Sequence, residues 1–243
     1  MKIKELHPWQ VGIAEAQLIQ RRLASQVSTQ NELGLVRLVA GVDISAEKAP
    51  GVAKGAVVVL SYPELDLVEY RVVEQKLSFP YVPGLLSFRE SPLILAAFAK
   101  LTRTPDLVLV DGQGLAHPRR FGIACHLGLL LDLPTIGCAK SILCGHHGPL
   151  APEAGARAEL LDREQVVGAA VRTKAMTAPV YVSIGHKVDL PTAVHWTLAC
   201  CRGNRLPEPT RRAHLAAADQ LLPTVGGNTM MVQEGRPRQM TLL

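Results

Sequence analysis

Residues 107–120 read Leu-Val-Leu-Val-Asp-Gly-Gln-Gly-Leu-Ala-His-Pro-Arg-Arg. Four apolar residues in unbroken succession, with Thr104-Pro105 before them and Asp111-Gly112 after, have the length and composition of a strand buried on both faces. Such a strand needs packed layers above and below it. The neighbouring periodicity supplies them: 87–101 and 119–131 read as helices, and 134–138 as a further strand. Upstream, three stretches rich in Val and Leu, 35–45, 55–61 and 67–77, are separated by Pro, Gly and Asp in the manner of an antiparallel meander. Downstream, 166–172 and 180–184 form a β pair, and 191–201 and 209–221 two closing helices. Strands first in a meander and then alternating with helices predict an α/β fold, a mixed β-sheet flanked by helices on both faces.

An amphipathic helix over 8–26 precedes the meander, with Ile13, Ala14, Leu18, Ile19 and Leu23 at helical spacing and Pro8 in its first turn. The stretch 148–157 is rich in small residues and reads as a surface loop. Beyond 222 the periodicity is lost and Gly and Pro cluster, which gives one catalytic domain over 1–221 and a C-terminal tail over 222–243. The 48% hydrophobic content of 243 residues suffices for one large core. Five cysteines contain no CxxC pair and no even framework, which points to a reducing, cytoplasmic compartment. The N-terminal residues lack the apolar core of a signal peptide, and no apolar run approaches the roughly 20 residues of a membrane span, so a soluble, unsecreted monomer is expected. The formal net charge of +5 favours an anionic partner, because a basic surface attracts phosphates before any specific contact forms.

Asp43 and Asp111 each follow an apolar run, so each carboxylate is placed at or near the end of a core strand, and Glu90 falls in the first turn of the 87–101 helix. If the two strands are neighbours, the carboxylates converge. Clustered carboxylates repel unless a cation compensates them, and oxygen-only ligation suits Mg²⁺ or Mn²⁺. Taken singly, each aspartate reads equally as a turn or helix cap. After Asp111, Gly112 and Gly114 permit close backbone approach to a ligand, while His117, Arg119 and Arg120 place donors near the start of a helix, where phosphate is favoured. An ordinary strand–loop–helix turn has the same look. In 78–84, Pro80 and Pro83 stiffen a short loop that presents Tyr81 either as a wedge for a base stack or as a ring over the core edge. Cys138, Cys144, His146 and His147 do not have a familiar zinc spacing, and Lys140 lies inside the set.

Gly-Val-Asp-Ile-Ser at 41–45, the Pro80–Gly84 loop, Arg89-Glu90, the run from Asp111 to Arg119, Gly-Cys-Ala-Lys-Ser at 137–141, Val-Ser-Ile-Gly-His at 182–186 and Arg-Leu-Pro-Glu-Pro-Thr-Arg at 205–211 together resemble the endonuclease V family. The resemblance is ordered and runs from about Trp9 to Ala216. It implies a ribonuclease-H-like fold and Mg²⁺-dependent hydrolysis of the second phosphodiester 3′ to deaminated adenine, leaving 3′-hydroxyl and 5′-phosphate ends. DNA containing deoxyinosine is the implied partner, with inosine-containing RNA a further substrate class. By the same resemblance Asp43 and Asp111 bind the metal, Glu90 and His214 complete the site, and Lys140 contacts the scissile phosphate or restrains a water. Tyr81 is the wedge in the Pro80, Val82, Pro83 loop, and Gly84, Leu86, Gly112, Ile123 and His117 lie near the pocket for the extruded base. Outside the matched segments, Gln239–Leu243 resembles the peptides with which bacterial repair proteins bind the sliding clamp, or is a chance pattern in a tail. Two other functions share these residues: another ribonuclease-H-like nuclease, of the resolvase or excision-nuclease type, and a non-catalytic nucleic-acid-binding module.

Overall fold

The computed structural model describes residues 2–45 and 51–221. Along the chain come α1 (Ile13–Ala24), β1 (Leu38–Ile44), β2 (Val52–Ser61), β3 (Leu67–Lys76), α2 (Leu86–Phe98) and β4 (Leu107–Val110). Then follow α3 (Ile123–Leu131), β5 (Thr135–Ala139), β6 (Arg157–Asp162), β7 (Gln165–Val171), β8 (Val180–His186), α4 (Leu190–Ala199) and α5 (Glu208–Ala217). All eight strands join one sheet in the order β3-β2-β1-β4-β5-β8-β7-β6. β4 runs parallel to β1 and to β5, and every other pairing is antiparallel, so the sheet is mixed as expected.

Because side chains alternate along a strand, the central strands feed two cores. Val39, Leu107 and Leu109 point to the layer of α4 and α5, where they meet Val194, Ala213 and Ala217. Ala40, Val42, Val108 and Val110 point the other way, against Ile94 and Phe98 of α2 and Leu127 of α3. The run at 107–110 is therefore buried on both faces, as its composition requires. This is the ribonuclease-H-like arrangement, a mixed sheet with helices on both sides.

Three expectations are corrected. The 8–26 helix begins only at Ile13, after Gly12, and the face it buries is Ala16, Ile19, Gln20 and Leu23, while Ile13 and Leu18 are exposed. The helix expected from Arg119 starts at Ile123, because Arg120 adopts a left-handed turn at φ 54°. Beyond the 148–157 loop lies an unexpected strand, β6, which pairs with β7 at the sheet edge and buries only Leu160. The clamp-like segment 239–243 and the rest of the tail from 222 lie outside the described residues. Among the described residues no helix is long and apolar enough to cross a membrane.

Candidate active site

Register brings the two aspartates together. Val42 pairs with Val110 across the parallel strands β1 and β4, so Asp43 and Asp111 come next to each other at the carboxyl ends of that pair. The Asp111 N–H still donates to the Val42 carbonyl at 3.3 Å. The helix α5 can rest on β1 here because Gly41 has no side chain: a Cβ at that position would stand 2.0 Å from the Pro209 carbonyl carbon. One helical turn past that contact, His214 Nδ1 lies 2.7 Å from Asp43 Oδ2. Just beyond β5, Lys140 Nζ rests against Asp111 Oδ2. Glu90 stands on α2 one turn after Leu86, on the same face of the helix.

The electrostatics show that these acids crowd one another. Glu90 is pushed up from the ordinary 4.5 to about 8, first by burial and then by the charges of Asp43 and Asp111, against the opposing pull of Arg89. Asp43 is raised by burial and by Asp111, while Lys140 and His214 draw it back. Lys140 is lowered by burial, but its bond to Asp111 and that charge leave it above its ordinary value. Among the described residues no group of three His, Cys, Asp or Glu side chains is disposed to hold an ion unaided. Asp43 and Asp111 thus form a two-carboxylate pair, with His214 set against one and Lys140 against the other. Half-buried carboxylates that repel each other and offer only oxygen donors fit a hard divalent cation with water completing its shell.

Next to the acids stands a tightly bound loop. Phe79 and Leu85 are buried and anchor its two ends, Val82 packs on the same cluster, and Pro80, Pro83 and Tyr81 project outward, with Tyr81 72% exposed. Arg89 Nη1 donates to the Phe79 carbonyl at 2.6 Å. Gly84, at φ 77°, offers a carbonyl that accepts from Gln20 Nε2 at 3.0 Å, His117 Nε2 at 2.9 Å and Arg119 Nη2 at 2.7 Å. The Arg119 N–H donates to His117 Nδ1, which fixes the imidazole as the neutral Nε2–H tautomer. Burial pushes that ring down to about 4, with the flanking arginines adding to the effect and the Gly84 bond opposing it. On the far side, Gly112 packs on Ile123, whose Cγ2 would be 2.5 Å from a Cβ at 112. Leu86, Gly112 and Ile123 therefore lie beside Glu90 and Asp111 in the chain or by contact.

The structure gives His117, Arg119 and Arg120 internal partners. His117 is buried, Arg119 binds Gln20 and Gly84, and Arg120 pairs with Asp162 at 2.8 Å. Cys138 is buried against Thr197. Four residues with a part in the site were given no role by the sequence analysis: Gln20, and Gly41, Gln113 and Arg205 inside the segments that carry the resemblance. Gln113 Nε2 donates to the Ser141 carbonyl at 2.8 Å and Arg205 Nη2 to the Lys140 carbonyl at 2.7 Å, so both hold the segment that carries the lysine. Only Gly41 left a signal, a glycine inside a strand two residues before an acid.

A family model described as Endonuclease V matches residues 21–215. Endonuclease V of Dehalococcoides mccartyi is 53% identical over 219 residues, covering 90% of this chain and 98% of the relative. Among solved structures, endonuclease V of Streptomyces avermitilis superposes with a TM-score of 0.82 at 41% identity, covering 91% of this chain and 98% of that one. Ciona intestinalis endonuclease V, in complex with a 24mer DNA containing an inosine followed by a ribo-adenosine, superposes with a TM-score of 0.73 at 31% identity, covering 86% of this chain and 97% of that one.

Proposed function

The chain belongs to the endonuclease V family, and from that premise we propose that it is a DNA repair endonuclease that recognises deaminated adenine in DNA. It hydrolyses the second phosphodiester bond 3′ to the lesion and leaves 3′-hydroxyl and 5′-phosphate ends. The observation that carries this reading is the convergence of Asp43 and Asp111 at the ends of two parallel strands, with Glu90 raised beside them and an exposed Tyr81 on the adjoining loop.

Asp43 and Asp111 would hold Mg²⁺, with Mn²⁺ as a substitute, and Glu90 completes the site beside them. When bound, such an ion activates a water and stabilises the attacking and leaving oxygens. His214 orients the Asp43 carboxylate through Nδ1. Lys140, set on Asp111, is the cation that meets the scissile phosphate. Tyr81 fills the gap left by the extruded base, which Gly84, Leu86, Gly112 and Ile123 receive. An inosine pair is weaker than a normal pair, which lowers the cost of extrusion. RNA containing inosine is a second substrate class. The protein works in the cytoplasm as a monomer, and 239–243 would engage a sliding clamp.

The test is cleavage of matched duplexes with and without one deoxyinosine, and of an inosine-containing RNA, with products mapped to the nucleotide. The expected result is a Mg²⁺-dependent nick beyond the 3′ neighbour of the lesion, abolished by chelator. Equal cutting of the unmodified control would refute the substrate.

A further inference from the structure

Gln20 is a polar side chain on the buried face of α1, only 1% exposed, and its hydrogen bonds tie together the Gly84 end of the Tyr81 loop and the segment leading into α3. Its single amide nitrogen donates to two carbonyls from different parts of the chain, Gly84 at 3.0 Å and Phe121 at 3.1 Å. Gly84 ends the loop that presents Tyr81, and Phe121 lies two residues before Ile123, which packs on Gly112. Its amide oxygen accepts from Arg119 Nε at 2.5 Å, and the same guanidinium reaches Gly84 through Nη2. An NH₂ group has two hydrogens at a fixed angle, so bonding both walls at once sets how far apart they stand.

We propose that Gln20 is a positioning residue that fixes the width of the pocket for the extruded base and thereby the selectivity for hypoxanthine. This rests on the deaminated-base reading above. Gln20 touches no reacting atom: it holds the loop and the start of α3 in register, while the carboxylates on β1 and β4 are held by other contacts.

Gln20→Glu tests it with little change of shape. The bond to Arg119 survives, but an oxygen now faces two carbonyl oxygens and the walls part. The expected outcome is a loss of about tenfold in the preference for a deoxyinosine duplex over its unmodified control, the scale of losing two buried hydrogen bonds of modest net worth. The loss should come through KM, with kcat at saturation kept within about twofold. A 2-aminopurine placed beside the lesion should brighten less on binding than with the wild-type protein. Gln20→Met, which keeps the volume and removes all three side-chain bonds, should move in the same direction. The inference is overturned if both variants melt cooperatively and keep the wild-type preference, or if kcat falls at unchanged KM. It is also overturned if neither variant folds, since Gln20 would then be a general packing residue. No preference for deoxyinosine in the wild-type protein would instead remove the substrate reading on which the inference stands.

Discussion

The carboxylate cluster and the Tyr81 loop lie side by side, yet they are held in opposite ways. At the cluster, Asp43 and Glu90 are raised by burial and by neighbouring carboxylates, while Lys140 and His214 draw Asp43 back and Arg89 opposes the rise at Glu90. At the loop, a single carbonyl takes three donors and the imidazole that serves it is kept neutral. One region stores repulsion that a cation would relieve, and the other is saturated with bonds made within the protein. Chemistry needs poised charge, whereas recognition of a base needs fixed walls, so the two jobs are served by opposite electrostatic states.

Substitutions should separate the two regions. The largest effect is expected for Asp43→Ala, which should lower kcat on a deoxyinosine duplex by on the order of 10³-fold, because a metal-held charge in the transition state is lost. Its thermal midpoint without metal should not fall, since the variant removes a repelling buried carboxylate. A drop of several degrees would break the contrast. Tyr81→Ala should cost about 10- to 100-fold in the preference for deoxyinosine, the scale of an unsupported base extrusion, with stability within about 0.5 kcal/mol of wild type. Competitive cleavage and calorimetry would measure both. His117→Phe should behave in reverse: stability lowered by about 1–3 kcal/mol in urea titration, as Gly84 and the Arg119 N–H lose a buried partner, with kcat at saturation nearly kept.

The smallest effects lie in the pH profile, and they have opposite signs. Between 4.5 and about 8 the folded protein keeps a proton on Glu90 that the unfolded chain has released, so this group makes stability fall as pH rises. Between 6.5 and about 4 the unfolded chain takes up a proton on His117 that the folded protein refuses, so this group makes stability fall as pH is lowered. Melting curves across pH in chelator should therefore flatten between pH 4.5 and about 8 for Glu90→Gln and between pH 6.5 and about 4 for His117→Gln. Added Mg²⁺ should stabilise the wild-type protein more at pH 8 than at pH 6. An unchanged slope in either variant would remove that group from the account.

The sequence made the cutting end more legible than the recognising end. Leu107–Val110 and the run before Asp43 read as strands because continuous apolar residues have few other homes, and an acid after each run marks the strand end. Their parallel pairing was not in the pattern, since neighbouring strands are chosen by the packing of the whole sheet. His214 was placed by the family resemblance, on a stretch that reads as a helix, but the closeness of α5 depended on Gly41, whose reason is an absent Cβ. Strand β6 was missed because Arg157, Ala158 and Glu159 at an edge need bury nothing, so no alternation was written into them. Gln20 gave no sign at all. A glutamine in an amphipathic helix reads as solvent-facing, and only the packing of α1 against the loop and α3 turns it inward.

The central claim is that cutting and recognition are separate parts of one site, and Asp111→Asn tests it most directly. Fluorescence anisotropy with a deoxyinosine duplex and its unmodified control, alongside a nicking assay on the same samples, gives both readouts. The account predicts that the variant keeps the wild-type preference in binding while its nicking falls by on the order of 10³-fold. Undiminished nicking by Asp111→Asn, or loss of the binding preference together with the nick, would contradict it.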